Sequence, residues 1–415
     1  MRLRACILAI AVVTPLRAFA QTPPPAPPPE AAPPPPPPAV VAPPPEAVPP
    51  PPPPVAVAAP MAPAAPAAGP KFTWGGLVDA YYMFNFIRQD VAGVTADTLT
   101  PPAARAFDTN SNSATMSLAA LSLNAAMDPV TFQLDFGYGA TGTIINGAAS
   151  NPPVTPPGMN TTTPPSFVLL QAYGSVAVAP MVTLDFGKFY TTAGAEVIPA
   201  NKNWLYSRSL LFNSIPLLHT GARANIKVND MLTLQASVVN GWNDDPDVNA
   251  WKTFGASASI TPNKMATIVA TTYIGKEGPQ AAGETSGDLR VLIDAVLALT
   301  LSDKLGINFN VDYIKAPSNV AADYLVGGAG MLRFAINDML ALAGRFEAVD
   351  YHLDGPPSTN VMYYEGTGML GIMFGKNFEL RPEFRFDFNS GDPMLFAGMT
   401  KKNQLTGTLA ALAYF

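Results

Sequence analysis

Apolar and charged side chains alternate at every position from 378 to 388, and this alternation limits the choice of fold more than any other feature. Because successive side chains of a β-strand point to opposite faces, the segment has one apolar face and one charged face. The alternation recurs at residues 72–86, 130–138, 289–300 and 305–313. Residues 72–86 also exceed the roughly 5–6 residues usual for a soluble strand. A barrel with a lipid-facing outer wall explains both features, whereas a soluble sandwich would leave long strand edges unpaired.

Short turns and longer polar loops alternate between the candidate strands. The short turns, mostly built from Asp, Asn, Gly or Pro, lie at 128–129, 179–181, 229–230, 261–264, 302–304, 337–338 and 375–377. This connection pattern is typical of outer-membrane barrels, whose short turns face the periplasm. We therefore predict an all-β fold, a closed transmembrane antiparallel β-barrel of about 16 strands, wide enough for an aqueous channel. The strands are expected at 72–86, 113–127, 130–139, 167–178, 182–190, 217–228, 231–240, 252–260, 265–275, 288–301, 305–315, 323–336, 339–351, 361–374, 378–388 and 404–415.

The first seventy residues predict export and a spacer ahead of the barrel. Arg2 and Arg4, a short apolar core and the Ala18-Phe19-Ala20 site are typical of a cleaved signal peptide over 1–20. Residues 22–70 hold 25 of the 46 prolines, a composition that favours disorder and extended polyproline II. We expect residues 21–70 to be a disordered periplasmic segment, either a tether or a plain spacer, and 71–415 to be the barrel domain.

Charge and cysteine content exclude several functional classes. Removing residues 1–20 takes away three arginines and the only cysteine, so the remaining chain has 21 basic and 30 acidic residues, a net charge of −9. An acidic surface does not favour nucleic-acid phosphate. A chain without cysteine has neither disulfides nor thiolate metal sites.

Charged residues of both signs fall on the predicted inner face of the barrel. By strand phase the pore-lining candidates are Asp79, Asp135, Asp185, Arg223, Lys227, Arg290, Asp294, Asp312, Arg333, Arg345, Glu347, Glu379, Arg381, Glu383, Arg385 and Asp387. Opposed acidic and basic walls would create a transverse field that favours small polar solutes. These charges could equally just solvate the channel wall or brace neighbouring strands.

Residues 191–216 form a long connection with an unusual composition for an exposed loop. Large apolar residues such as Leu211 and Phe212 accompany Glu196, Lys202 and Arg208. Exposed loops rarely carry so much apolar surface. The composition favours a loop that folds into the barrel and constricts it, with these three charged residues at the constriction. The alternative is an outward loop that packs against a neighbouring protomer.

Candidate catalytic and metal-binding residues are few. His219 is expected to face the interior beside Arg223, and His352 is expected in an outer loop near Asp350 and Asp354. The acidic run at 243–247 lacks the twelve-residue spacing of a calcium-binding loop. We therefore predict no catalytic residue, no metal site and no cofactor.

The carboxy-terminal residues and several motifs resemble known outer-membrane proteins. The final strand ends at Phe415, similar to the signal read by the barrel-assembly machinery, although Ala413 stands where that signal often has an aromatic residue. The chain resembles the β-barrel porin family described as OmpL-like. The similar segments are Phe72-Thr-Trp-Gly-Gly-Leu-Val-Asp-Ala-Tyr, Leu184-Asp-Phe-Gly-Lys-Phe, Tyr206-Ser-Arg-Ser-Leu-Leu-Phe, Ile215-Pro-Leu-Leu-His-Thr-Gly-Ala-Arg and Val239-Asn-Gly-Trp-Asn-Asp. The resemblance implies a porin fold over 71–415 and brings no catalytic residues.

These features together predict a bacterial outer-membrane porin, a water-filled channel for passive diffusion of small hydrophilic solutes or ions. Its expected partners are membrane lipids, the permeating solutes, the assembly machinery and, as in many porins, two further copies in a homotrimer. Two alternatives remain open at this point. One is a non-conducting barrel that serves as an adhesin or envelope anchor, and the other is an outer-membrane barrel enzyme.

Overall fold

The computed structural model describes residues 69–86, 105–148, 165–247, 249–277, 288–315, 322–353, 358–391 and 401–415. The predicted signal peptide and almost all of the Pro-rich segment lie outside these ranges. Among the described residues, no helix has the length and apolar character needed to cross a membrane.

Sixteen antiparallel strands pair with their sequence neighbours, and β1 pairs with β16 to close the barrel. The strands are β1 Lys71–Asn85, β2 Ser113–Met127, β3 Val130–Gly139, β4 Ser166–Ala179, β5 Val182–Tyr190, β6 Leu218–Lys227, β7 Leu232–Val239, β8 Thr253–Asn263, β9 Ala266–Glu277, β10 Asp288–Thr300, β11 Leu305–Lys315, β12 Tyr324–Ala335, β13 Leu340–Leu353, β14 Thr359–Phe374, β15 Phe378–Asn389 and β16 Asn403–Tyr414. Each strand bound lies within three residues of the predicted one. The predicted fold class is confirmed.

The outer wall carries the apolar face of each alternating segment. Phe384 is 60 % exposed there, and Phe309 and Phe346 are similarly exposed. Large apolar side chains on the outside are stable only against lipid, because water would oppose so much exposed apolar surface. The strand phase deduced from the sequence therefore matches the structure on this wall.

Strand β2 is the Ala-rich segment whose phase is ambiguous in the sequence. A β-bulge explains the ambiguity, because Asp79 pairs with Leu118 whereas the next residue, Ala80, pairs with Met116. The unpaired Ser117 and its neighbour Leu118 are both buried. A bulge inserts one residue and shifts the alternation that a strand pattern relies on.

The two ends of the barrel differ. At the short-turn end, connections of a few residues join the strands, whereas the long-loop end carries the longer segments. At the long-loop end, helix α1 (Ala140–Ala148) packs against β2, β3 and β4, within a segment predicted to be a plain loop. Inward-facing apolar side chains in this half form a buried cluster with residues of loop 191–216, and this cluster includes Leu118, Ile145, Leu211, Phe212, Leu292, Ile314, Leu325 and Val349.

Candidate pore and its inner loop

Loop 191–216 leaves β5, crosses the barrel interior and returns to β6. The Tyr206 hydroxyl donates a hydrogen bond at 2.9 Å to Asp79 of β1, a strand about a quarter of the way round the ring from β5. The backbone N–H of Tyr206 donates to Glu383 of β15 at 2.7 Å, and that of Leu210 donates to Glu347 of β13 at 2.7 Å. Strands β13 to β15 lie opposite β5 and β6 in the ring of sixteen. The loop therefore spans the interior.

Charged side chains of the far wall supply hydrogen-bond partners to the loop backbone. Arg381 donates to the carbonyl of Ala200 at 2.9 Å, and Arg345 donates to the carbonyl of Ser207 at 2.8 Å. Buried backbone groups must be paired, and inside a barrel a loop has little access to water for that purpose. The carboxylates that accept its N–H groups and the arginines that donate to its carbonyls therefore hold the loop in place.

The three predicted constriction residues occupy different positions in the loop. Glu196 is buried, pairs with Arg345 at 2.8 Å and accepts the N–H of Ser209 at 2.8 Å. Lys202 is exposed at the one-turn 3-10 helix Ala200–Lys202.

Arg208 is buried within the loop and does not face an open path. It donates to three carbonyls of the same loop, those of Val197 at 3.1 Å, Ile198 at 2.5 Å and Tyr206. Burial lowers the pKa of Arg208 from its ordinary value, and Glu196 opposes that effect. Arg208 therefore braces the loop.

The predicted pore-lining residues divide into buried and accessible groups. The buried ones are Asp79, Asp135, Asp185, Asp294, Asp312, Arg345, Glu347, Glu379, Arg381, Glu383, Arg385 and Asp387. Arg223, Arg290 and Arg333 are partly exposed, and Lys227 is exposed. The inward phase is as expected, but most of these residues are buried and do not have the contact with water that a pore-lining position implies. Most of the charges on β13 to β15 differ from that expectation because loop 191–216 covers them.

A ladder of polar side chains lines the opposite wall, from β2 to β7. Its hydrogen bonds are Asn124 to Gln133 at 3.0 Å, Gln171 to Asp135 at 2.6 Å, Ser175 to Asp185 at 2.5 Å, Asn225 to Asp185 at 2.8 Å and Gln235 to Asn225 at 2.8 Å. The amide side chains of this ladder are partly exposed. A partly exposed polar wall can contact water and hydrophilic solutes.

A second interior segment is not predicted from the sequence. Residues 105–112, predicted as part of a long outer loop, return into the barrel. Arg105 pairs with Asp108 at 2.9 Å and lies 3.5 Å from Asp387 of β15. Phe107 packs edge-on against Phe212 of loop 191–216, with ring centroids 5.8 Å apart. Arg105 and Phe107 are the residues of this segment that could have indicated an interior position. Neither belongs to an alternating strand pattern, so the sequence alone does not indicate which residues they contact.

The two histidines are held by structural contacts. His219 is buried, hydrogen-bonds the carbonyl of Gly241 at 3.0 Å and stacks on Tyr273 with centroids 4.3 Å apart. His352 lies within β13, which corrects the expectation of a loop position, and contacts Asn360 at 2.8 Å. Asp354 lies outside the described residues.

In the acidic run at 243–247, Asp245 pairs with Lys188 at 3.2 Å, and Asp247 pairs with Lys252. Across the described part of the chain, no group of three or more His, Cys, Asp or Glu side chains is arranged to hold a metal ion.

Solved outer-membrane proteins share this fold at low sequence identity. OmpF of Salmonella typhi, solved in a complex with daunomycin, has a TM-score of 0.54 and 11% identity, covering 84% of this chain and 98% of that chain. The outer membrane channel DcaP of Acinetobacter baumannii has a TM-score of 0.53 and 12% identity, covering 84% and 98%. OmpT of Vibrio cholerae, in a trimer form, has a TM-score of 0.52 and 10% identity, covering 84% and 100%.

Sequence comparison adds the family. No curated protein sequence matches the chain. The family model described as "Putative beta-barrel porin-2, OmpL-like" matches residues 71–415, which is the whole barrel and all of loop 191–216. The chain therefore belongs to the OmpL-like β-barrel porin-2 family.

Proposed function

We propose that the chain forms a narrow passive channel for small hydrophilic solutes or ions in a bacterial outer membrane, with loop 191–216 as its constriction. The observation that carries this proposal is the loop itself, which crosses the interior and is bonded to Glu347 and Glu383 on the far wall and to Asp79 of β1. A sixteen-stranded barrel without an inner loop would hold a wide aqueous channel. The amide side chains on the inner wall of β2 to β7 are partly exposed, and we propose that solutes pass along this wall.

Within this channel the three charged loop residues take different roles. Lys202, the exposed one, is the candidate to meet permeating solutes. Glu196 and Arg208 set the width of the path indirectly, because their buried bonds fix where the loop backbone lies. The wall residues bonded to the loop act in the same way.

The proposed binding partners of the barrel are inferred from its outer wall and its last strand. Membrane lipids would cover the exposed apolar side chains of that wall. Phe415 continues the pairing of β16 with β1 through the backbone of Gly76, and we propose that the assembly machinery recognises this end of the strand. A homotrimer is the proposed oligomer, as OmpT of similar fold has a trimer form. We also propose that residues 1–20 direct export and that residues 21–70 lie in the periplasm.

One observation favours a second candidate, a non-conducting barrel that anchors or displays other parts of the envelope. In the long-loop half of the barrel, inward-facing residues such as Phe189, Val239 and Tyr273 are buried, as are Leu292 and Val349 across the interior. If this packing leaves no continuous path, the barrel would not conduct.

Single-channel recording separates the two candidates. The full-length protein, folded in detergent, would be added to a planar bilayer in potassium chloride. A channel predicts discrete current steps, each smaller than those of a sixteen-stranded barrel without an inner loop. Folded protein, verified by its heat-modifiable gel mobility, that inserts and produces no steps would favour the non-conducting barrel.

A further inference from the structure

The most exposed inward-facing charges of the barrel are cations, although one of them, Lys227, pairs with Asp230 of the adjoining short turn at 2.9 Å. We define the vestibule as the interior space in the short-turn half that is lined by partly exposed inward side chains, namely Asn124, Gln133, Tyr173, Arg223, Asn225 and Gln235. Lys227 and Arg333 face inward in the same half. The exposed Lys202 follows Ala200, whose carbonyl is bonded to Arg381 near the beginning of β15.

The carboxylates in the same half are buried and engaged. Asp135 accepts hydrogen bonds from Gln171 at 2.6 Å and Gln133 at 2.5 Å. Glu379 pairs with Arg381 at 2.9 Å. Among the described inward-facing residues of the vestibule, the more exposed side chains are therefore cations and uncharged polar groups, although the chain as a whole is acidic.

Arg223 is the accessible cation with the best-defined geometry. Its guanidinium lies 4.2 Å from the ring centroid of Phe189 and 5.3 Å from that of Tyr173. Its Nε donates to Asp185 at 2.6 Å. No carboxylate among the described residues engages either terminal amino group. Aromatic contacts, the ion pair and a side-chain hydrogen bond with Tyr173 hold the plane of the guanidinium, and its remaining terminal N–H donors are available to a solute.

A fixed, partly exposed guanidinium matches the planar geometry of carboxylate and phosphate oxygens. Carboxylate and phosphate oxygens accept two parallel N–H donors from arginine, which is both stronger and more specific than contact with a point charge. We propose that the vestibule selects small anions and that Arg223 determines this selectivity by contacting their carboxylate or phosphate-type groups. This inference rests on the proposed channel function.

The surplus of acidic residues in the chain does not oppose this selectivity at short range. Exposed charges beyond about 8 Å are largely screened at physiological salt. A charge at contact distance in a partly aqueous path interacts with the permeating ion through a lower effective dielectric constant. Its effect on selectivity therefore exceeds that of the distant charges. The buried carboxylates next to the vestibule are already paired with Arg223, Arg381 or amide donors, which reduces their field in the path.

The test measures the reversal potential of the full-length protein in a planar bilayer under a potassium chloride gradient. We expect wild type to prefer chloride over potassium. Arg223→Gln should lower the chloride-to-potassium permeability ratio by about fivefold, as for one unit charge lost at contact distance, and Arg223→Glu should bring it below one. Lys264→Gln is the matched control, since it removes one positive charge from an exposed short turn outside the path and should leave the ratio unchanged.

Asp185→Asn separates selectivity from a structural role. If Arg223 acts on permeating anions, this variant keeps the guanidinium, removes the negative charge beside it, and retains or increases the chloride preference. If Arg223 only neutralises Asp185, both single variants should disturb the channel alike, and that outcome would overturn the proposal. Inorganic phosphate should reduce the chloride current of wild type more than that of Arg223→Lys, which keeps the charge without the paired donors.

The outcomes also distinguish this inference from the channel function. Current steps with a potassium preference in wild type, or an unchanged ratio in Arg223→Gln and Arg223→Glu, would refute anion selection and leave the channel intact. If a variant fails to fold, the reversal potential of the wild-type protein still tests whether the channel selects anions. Folded protein without current steps would refute both proposals.

Discussion

Arg345, on the inner face of β13, forms an ion pair with Glu196 of loop 191–216, with 2.8 Å between its Nη1 and the Glu196 carboxylate. The same guanidinium pairs with Glu365 of β14 at 2.8 Å and donates to the carbonyl of Ser207 at 2.8 Å. All of these groups are buried. A single wall residue thus joins two carboxylates and the loop backbone, so the position of the loop depends on it.

Replacing this residue should release the loop. In Arg345→Met, Glu196 and Glu365 lose a buried cation, and breaking a buried pair costs about 3–5 kcal/mol. We expect a lower thermal unfolding temperature and faster proteolytic cleavage within 191–216. Glu196→Gln is the milder comparison, because it keeps Arg345 paired with Glu365. If both variants resist heat and protease as well as wild type does, the ion pair does not hold the loop.

Membrane-facing and interior positions should respond differently to the same substitution. Phe384 lies on the outer wall, so Phe384→Arg should impair folding by roughly 2–4 kcal/mol near the membrane midplane. Gln235→Arg places the same side chain on the partly exposed inner wall of β7, where water can solvate it. Heat-modifiable gel mobility and urea titration in lipid vesicles would compare them. Equal losses at the two positions would contradict the assigned faces.

The strand pattern was predictable because side chains that face lipid must be apolar, whereas the alternate side chains that face the interior can be polar or charged. Strands such as β15 therefore have bounds and faces that local alternation already indicates. What the pattern could not indicate is what lies against each inner residue. Arg385 is a pore-lining candidate in the sequence and is therefore expected to contact water, but it is only 1 % exposed and pairs with Asp387 at 2.6 Å. That expectation was wrong, because an inward direction does not imply contact with water.

The interior segments were harder to predict, because local alternation does not indicate which residues they contact. The apolar content of loop 191–216 indicated that it avoids water, but not which wall residues pair with its backbone. The partners Glu347 and Glu383 lie more than a hundred positions away. Residues 105–112 and helix α1 carry no comparable apolar signal, and their contacts with Phe212 and Ser117 depend on the closed barrel.

The acidic loop between β7 and β8 should respond to pH. Burial, with Glu277 and Asp247 nearby, raises the pKa of Asp244 from 3.8 to about 7, whereas Arg290 opposes the rise. Because the folded-state pKa lies above the ordinary value, ionisation disfavours the packed loop, and its stability falls as pH rises from about 4 through 7. The protection factor of the Trp242 amide, which corrects for the intrinsic pH dependence of hydrogen exchange, should be higher at pH 5 than at pH 8. Asp244→Asn should remove much of that difference; a pH effect of equal size in this variant would assign it to another group.

The most direct test of the account is the single-channel conductance of a variant that lacks residues 200–210, compared with wild type under the same salt. This deletion removes the part of the loop that carries Lys202, Tyr206 and Arg208 and keeps its two stems. If loop 191–216 narrows a conducting path, the folded variant should show larger current steps, because it lacks the hydrogen bonds of Tyr206 to Glu383 and of Leu210 to Glu347. Steps of unchanged size, from a variant whose heat-modifiable mobility shows a closed barrel, would contradict the constriction.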